Sequence, residues 1–244
     1  MRLLDPTVAR LTAGSLLGRR RALLLLALPA VLLALAGAAR ALAGQDAELS
    51  SFVLGSFALG TVVPLLGLLA GTGAIGPEID DGSIVYLLYK PLSRHVMVVT
   101  KLLVAVAVVL LLGALPTLLA GLVLAGTTDG LAVGFAAVAA AAGVGYCALF
   151  LLLAVITRNA VVVGLLYALI WESLVGQLVP GAQALSIQQW ALVLTERIVG
   201  PRAEELGADS AVGSIGLVLL VAVVISATWY AGHRLRTIRL TSDA

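Results

Sequence analysis

The chain has 244 residues, of which 61% are hydrophobic and 11% are charged, and its formal net charge is +2. This composition, with a mean hydropathy of +1.12, excludes a water-soluble globular protein and indicates a membrane protein. The small positive charge does not indicate nucleic-acid binding, because the basic residues follow the pattern that orients a membrane protein rather than forming a patch.

Residues 1–21 intersperse leucines and Val8 with arginines, which predicts an amphipathic helix lying on the inner leaflet. A frayed cytoplasmic tail is the alternative. A cleaved signal peptide is also conceivable, because three arginines at 19–21 precede an apolar run. However, that run is longer than the 7–15 residues typical of such signals, so we expect it to remain as the first span.

Six stretches are long and apolar enough to cross a hydrocarbon core of about 30 Å. We place these spans at Ala22–Ala39, Phe52–Ile75, Thr100–Ala125, Leu131–Ile156, Ala160–Val179 and Val212–Gly232. Backbone groups in lipid must bond internally, and the alternation typical of barrel strands is missing. The predicted fold class is therefore all-α, a polytopic membrane protein with six transmembrane helices in a single domain over residues 1–244.

The positions of lysine and arginine predict the orientation of this bundle. With the N-terminus inside, twelve of the fifteen basic residues fall at the cytoplasmic side: Arg2, Arg10, Arg19, Arg20, Arg21, Lys90, Arg94, Lys101, Arg158, Arg234, Arg236 and Arg239. Only Arg40, Arg197 and Arg202 fall on the far side, where most of the acidic residues lie as well. Both termini are therefore predicted to be cytoplasmic.

Prolines and small residues mark features inside the spans. Pro29, Pro64 and Pro116 lie within predicted helices, where proline can kink a helix. The stretch from Gly67 to Gly71 and the alanine- and glycine-rich run at 136–145 allow helices to approach closely. We favour ordinary packing within the chain as the reason for these small faces, with a dimer seam as the alternative.

The second and third spans are separated by a polar insert, predicted as a cytoplasmic loop over residues 77–99. A turn with capping residues at 80–83 precedes a short helix at 84–89; Lys90 and Pro91 end that helix, and Ser93 can cap the next one. The short helix carries apolar residues that need an apolar partner: Ile84, Val85, Leu87 and Leu88. This insert is therefore predicted to dock another protein.

Glu172 is the one acidic residue that lies well inside a predicted span. Placing a carboxylate in the membrane costs free energy, so such a residue indicates a functional site. It could couple transport to protons or cations, or it could anchor internal hydrogen bonds. We favour the anchor, because no second intramembrane acid or lysine continues a relay from it.

The long outer loop at 180–211 is predicted to contain a short amphipathic helix that lies on, or re-enters, the outer surface. Its apolar residues recur at helical spacing: Ile187, Trp190, Leu194 and Ile198. As a lid this helix could cap a transport pathway. The alternative is that it only pads the membrane interface.

The sequence offers no catalytic or metal site. Cys147 is the single cysteine, so neither a disulfide nor a thiolate metal site is expected, and both His95 and His233 fall at the cytoplasmic edge in interfacial positions. A dyad of Ser214 with His233 is excluded, because 19 helical residues would separate them by about 28 Å.

The insert resembles that of the permease subunits of type-2 ATP-binding-cassette (ABC) transporters. The residues that carry this resemblance are Glu78, Asp81, Gly82, Ser83, Leu87, Leu88, Pro91, Ser93, Arg94 and Lys101. Asp81 departs from the pattern, since many relatives carry arginine or lysine there. The predicted spans, the amphipathic N-terminal segment, and the segments at 167–172 and 185–187 are also similar to this family.

The resemblance implies that the insert is a coupling helix seated in a groove of a cytoplasmic ATPase. The implied docking residues are Glu78, Asp81, Gly82, Ser83, Ile84, Leu87, Leu88, Pro91, Ser93 and Arg94. The chain itself has no G-x-x-x-x-G-K-[ST] phosphate loop, so ATP and Mg²⁺ are expected in the partner, with no cofactor and no catalysis in this chain.

The resemblance further implies a second copy or a sister permease, a bacterial-type cytoplasmic membrane, and export of substrate. The alternative function is a proton- or ion-coupled secondary carrier that uses Glu172.

Overall fold

The computed structural model describes residues 6–16, 18–80, 94–126, 130–175, 185–199 and 215–237. Within these ranges every regular element is a helix and there is no strand. The α-helices are α1 (Pro6–Leu16), α2 (Arg19–Ala43), α3 (Ala47–Ser51), α4 (Val63–Asp80), α5 (Arg94–Val109), α6 (Leu115–Ala125), α7 (Leu131–Ile156), α8 (Ala160–Leu166), α9 (Ile187–Val199) and α10 (Ile215–Thr237). Three π-helical stretches lie at Phe52–Val62, Leu110–Ala114 and Tyr167–Val175.

The π-helical stretches join shorter α-helices into long continuous ones. The first joins α3 to α4, the second joins α5 to α6, and the third continues α8. The first two each end two residues before a proline, Pro64 or Pro116. Proline lacks an N–H and its ring clashes with the carbonyl one turn earlier, so a wider preceding turn accommodates it. The predicted distortions at these two prolines therefore take the form of wide turns.

Among the described residues, five helices are long and apolar enough to cross a membrane: Arg21–Ala43, Glu48–Ile79, Arg94–Ala125, Leu131–Ile156 and Ile215–Leu235. They correspond to five of the six predicted spans, and α7 has the predicted boundaries. The fifth predicted span is represented by a shorter apolar helix, Ala160–Glu172, and the residues into which we extended it, at 176–184, lie outside the described residues. The chain is thus an all-α polytopic membrane protein.

Two helices run further into the predicted loop at 77–99 than the sequence suggested. α4 continues through Pro77 to Asp80, and α5 begins at Arg94 rather than near Thr100. Ile79 remains packed against the core, so apolar burial extends the helix past the proline. Residues 81–93, which include the predicted turn and short helix, lie outside the described residues.

The centre of the bundle is α7, which packs mainly against α4, α9 and α10. Glycines allow the closest crossings: a Cβ atom at Gly67 would lie 2.5 Å from Cβ of Tyr146, and one at Gly143 would lie 2.6 Å from Cγ1 of Val109. A Cβ at Gly71 would similarly lie 2.9 Å from the Cys147 carbonyl oxygen. The small-residue faces therefore serve packing within the chain, as we favoured.

The N-terminal helix α1 packs against α4 and α5. Val8, Thr12 and Leu16 form its buried stripe, spaced four residues apart, whereas Leu11 is 55% exposed because it lies off that stripe. Leu16 fits against Gly73, where a Cβ atom would lie 2.7 Å from its Cδ2. The described residues 6–16 thus form a helix with one buried face, and its placement on the inner leaflet stays a prediction.

Charged side chains divide between the two ends of the bundle. At the end where α2 and α5 begin and α4 and α7 finish, here called the basic end, the described side chains include the acid Glu78 and six basic residues: Arg10, Arg21, Arg94, Lys101, Arg158 and Arg234. At the opposite end they include Arg40 and Arg197 together with the acids Asp46, Glu48 and Glu196. The asymmetry seen in the sequence is therefore an asymmetry of the folded bundle.

Candidate functional site

A buried ion pair joins the two helices that flank the predicted coupling segment. Nζ of Lys101 lies 2.6 Å from Oε1 of Glu78 and 2.7 Å from the carbonyl oxygen of Ala74. The Lys101 side chain is fully buried, and that of Glu78 is 15% exposed. An ammonium group buried without a partner is very costly, so this pairing holds α4 and α5 in one arrangement.

A second contact at the basic end involves Arg94, the first residue of α5. Its guanidinium donates a hydrogen bond to the carbonyl oxygen of Leu235, near the end of α10. Glu78 and Arg94 are the predicted docking residues that the structure describes, and both make contacts within the chain. The other predicted docking residues lie outside the described residues: Asp81, Gly82, Ser83, Ile84, Leu87, Leu88, Pro91 and Ser93.

Both histidines lie at the basic end, where His95 packs against α10 and His233 is exposed beside a residue of its own helix. The ring of His95 lies against Gly232, where any Cβ atom would overlap it, and His233 stacks on Trp229 with ring centroids 5.7 Å apart. Within the described ranges no cluster of His, Cys, Asp and Glu could hold a metal ion, and Cys147 is buried in α7. These placements agree with interfacial packing roles.

Glu172 lies in the third π-helical stretch and is buried, with 1% of its surface exposed. Oε1 accepts hydrogen bonds from the Tyr167 hydroxyl at 3.1 Å and the Ile187 N–H at 3.0 Å, and Oε2 accepts one from the Ser186 hydroxyl at 2.5 Å. In an α-helix, residues five apart would face about 140° away from each other. The π-helical i→i+5 spacing instead places Tyr167 and Glu172 on one face.

The donors from Ser186 and Ile187 belong to the start of α9. The Ser186 hydroxyl also accepts a hydrogen bond from the Gln189 N–H at 3.3 Å, the geometry of a helix N-cap. The carboxylate of Glu172 therefore lies at the positive end of the α9 dipole, where negative charge is stabilised. Three donors engage this carboxylate, which makes it the internal hydrogen-bond anchor that we favoured.

This anchor holds α9 inside the bundle rather than on its surface. A Cβ atom at Gly145, in the middle of α7, would lie 3.0 Å from Cγ2 of Ile187, and one at Gly216 would lie 2.9 Å from Cα of Trp190. The Gln188 side chain donates to the Gly55 carbonyl at 3.4 Å. α9 is therefore a re-entrant helix whose first residue reaches the level of the bundle centre.

The buried face of α9 differs from the predicted stripe. Its buried side chains are Ile187, Trp190, Ala191, Leu192, Val193 and Thr195. Ile198, which we placed on the apolar stripe, is 43% exposed. A helix enclosed by α7 on one side and α10 on another has no single buried stripe. The sequence signals that could have revealed this are Gly145 and Gly216.

The sequence did not reveal the aromatic side chains that lead from α7 to the Glu172 site. Tyr146 stacks on Phe150 with an interplanar angle of 14°, and Phe150 meets Tyr167 edge to face, with both centroid distances at 6.0 Å. The hydroxyl of Tyr146 is buried and has no hydrogen-bond partner among the described residues. Only the folded bundle brings these residues together, because they come from two separate helices.

Comparison with known families identifies the bundle. A family model described as "ABC-2 family transporter protein" matches residues 19–227. No curated protein matches the chain. The matched range begins with the first residue of α2 and includes both the Glu78–Lys101 pair and the Glu172 anchor. We therefore conclude that the chain is a multi-pass membrane protein belonging to the ABC-2 transporter family, as a permease subunit.

Proposed function

We propose that this permease moves substrate out of the cell, driven by ATP hydrolysis in a separate cytoplasmic ATPase subunit. The family places it among membrane subunits of ABC transporters. Export, coupling and the partner are our extension of that membership. ATP and Mg²⁺ bind in the ATPase under this proposal, and the chain itself holds no cofactor.

The proposed arrangement has six spans in one domain, with the helix over 160–175 and residues up to Val179 forming the fifth. Both termini are cytoplasmic, so the basic end faces the cytoplasm of a bacterial-type cell, as the positive-inside rule favours. The functional unit contains a second copy or a sister permease, two ATPase subunits and no nucleic acid.

The observation that carries the coupling proposal is the buried ion pair between Glu78 and Lys101. The proposed coupling helix connects α4 to α5, and a force applied to it must enter the bundle through those two helices. Because the ion pair joins the last turn of α4 to the second turn of α5, the two helices would move together rather than separately. Glu78 and Arg94 then act as positioning residues beneath the docking surface of Ile84, Leu87 and Leu88.

A carrier that uses Glu172 as its coupling group is not favoured. Both carboxylate oxygens already accept hydrogen bonds from protein donors, and two of the three donors, Ser186 and Ile187, belong to the start of α9, which Glu172 holds in place. A carboxylate that released and bound ions on each cycle would break these bonds each time. Glu172 is better suited to supporting α9.

The test is co-purification of the tagged chain with its ATPase. Replacing Leu87 and Leu88 together by glutamate should abolish ATPase recovery while membrane levels of the chain stay normal, because charged side chains cannot enter an apolar groove without a large desolvation penalty. The matched control is Leu42→Glu, since Leu42 is 89% exposed at the opposite end of the bundle. Normal ATPase recovery with the Leu87 and Leu88 variant would refute docking through this segment.

A further inference from the structure

A cavity of about 490 Å³ lies at the basic end of the bundle, between the start of α2, the end of α4, and the turn that joins α7 to α8. Its size is within the range of small-molecule sites. The residues on its wall come from three separated parts of the chain, so the folded bundle creates it. Neither the ion pair at Glu78 and Lys101 nor the anchor at Glu172 contributes to this cavity.

The charges on the wall of the cavity have one sign. Arg21 and Arg158 are its charged residues, and the part of the wall that the structure describes includes no acidic side chain. Arg158 is exposed and makes no ion pair with any described residue. Arg21 donates a long hydrogen bond of 3.4 Å to the Gly73 carbonyl, and most of its guanidinium donors have no acceptor among the described residues, which leaves them available to a ligand.

Polar and apolar groups are separated around this cavity. Thr157 and Asn159 add neutral polar groups beside the arginines, and the side chain of Asn159 makes no capping hydrogen bond to the helix that follows it. The rim toward the membrane is apolar, because Val161 and Val162 at the start of α8 are 51% and 59% exposed. A free anion would use the arginines alone, whereas a lipid would use both features.

We propose that this cavity binds the phosphate headgroup of an anionic phospholipid of the inner leaflet. Arginine matches phosphate geometry through paired N–H donors, and basic pockets between membrane helices on the cytoplasmic side suit anionic headgroups. The acyl chains run along the exposed valines of α8. The inference goes beyond the proposed export function, because it concerns the environment that this chain selects in the membrane.

The test is native mass spectrometry of the full-length chain in detergent, titrated with phosphatidylglycerol and, separately, with phosphatidylcholine of the same acyl chains. Phosphatidylglycerol should bind more tightly. Arg158→Gln should weaken its binding about fivefold, and Arg21→Gln with Arg158→Gln about 25-fold, from the usual contribution of each basic residue near anionic lipid. Phosphatidylcholine carries the same phosphodiester beside its own quaternary ammonium cation, so its binding should change much less than that of phosphatidylglycerol in both variants.

The matched control is Arg10→Gln, because Arg10 is exposed at the same end of the bundle and does not line the cavity. Arg158→Gln tests the site on its own, since Arg158 makes no ion pair with described residues whose loss would disturb the fold. Equal phosphatidylglycerol affinity in the wild type and both cavity variants would overturn the proposal. Displacement of phosphatidylglycerol by millimolar inorganic phosphate would overturn the lipid assignment and assign the site to a soluble phosphate. Failure of the lipid-binding proposal would not count against ATPase docking, because docking is tested separately by co-purification.

Discussion

Replacing Glu172 by leucine should destabilise the bundle and release α9 from it. The substitution keeps a side chain of similar size but removes the acceptor of three hydrogen bonds, from Tyr167, Ser186 and Ile187. The backbone N–H of Ile187 belongs to the first turn of α9 and has no intrahelical acceptor to replace the carboxylate. The loss of hydrogen bonding is therefore greatest at the point where α9 enters the bundle.

The magnitude follows from the bonds that are lost. A donor left unsatisfied after burial costs about 1–3 kcal/mol, and the hydroxyls of Tyr167 and Ser186 can rotate toward other acceptors while the N–H cannot. Removing a buried charge also removes its own desolvation cost, which offsets part of the loss. We expect the free energy of unfolding to fall by about 2–4 kcal/mol. Glu172→Gln keeps one acceptor oxygen and should lose about half as much.

Two measurements would check this prediction. The first is the free energy of unfolding of the purified chain in mixed detergent micelles. The second is labelling of a cysteine placed at Gln188 by a membrane-impermeant maleimide, because that position becomes accessible when α9 leaves the bundle. Background labelling should be low, since Cys147 is the chain's single cysteine and is buried.

Tyr146→Phe provides the matched control for the Glu172 variants. It removes a buried hydroxyl from the same region, but that hydroxyl has no hydrogen-bond partner among the described residues. Because an unsatisfied buried hydroxyl is itself a cost, its removal should leave the free energy of unfolding unchanged or raise it. If Glu172→Leu had the same stability and the same labelling rate as Tyr146→Phe, the anchoring role would be refuted.

Two further pairs of substitutions test the charge pairing and the packing of the bundle. Lys101→Met should lower the free energy of unfolding by about 3–5 kcal/mol, because it leaves Glu78 buried without its cation. Adding Glu78→Leu to it should recover most of that loss, and a double-mutant cycle showing simple additivity would contradict the pairing. Gly67→Ala should lower the free energy of unfolding by about 1–3 kcal/mol, because the added Cβ atom would overlap α7. The matched control is Gly37→Ala, where a Cβ atom would have nothing within 4 Å. In the same detergent unfolding assay this control should be neutral or stabilising.

Helix boundaries could be predicted from the sequence where turn residues end an apolar run. α7 begins after Gly130, which has a left-handed φ of 66°, and ends before Thr157, whose backbone is extended. Gly126 adopts positive φ at the predicted end of α6 in the same way, whereas α2 continues up to its cap at Gly44, past the predicted end at Ala39. At these points a local backbone preference determines where the helix stops, so hydropathy and glycine positions are sufficient.

Boundaries were missed where tertiary partners override local signals. Pro77 is a helix-breaking residue and Glu78 is charged, so the sequence predicted that the second span ends before them. In the folded chain Lys101 neutralises Glu78, and Ile79 remains in contact with the core, so the helix continues. The partner of Glu78 lies 23 residues away, and no local pattern identifies it.

Only part of the Glu172 site could be predicted from the sequence. Glu172 was recognisable because a carboxylate in an apolar segment is rare, and the choice of an anchor over a relay is supported by its three donors. The donors themselves were not recognisable. Tyr167 reaches Glu172 only because the helix is π-helical there, and Ser186 only because α9 turns back into the bundle.

The anchor at Glu172 also constrains the order in which the chain enters the membrane during synthesis. A carboxylate near the bilayer centre opposes insertion by about 2.5–3.5 kcal/mol, and the described part of its helix is short for a span. Two of the donors that satisfy it, Ser186 and Ile187, are synthesised later than Glu172 itself. The helix that carries Glu172 therefore becomes stable in lipid only after the ribosome has delivered α9, so biogenesis of this permease is completed from its C-terminal third.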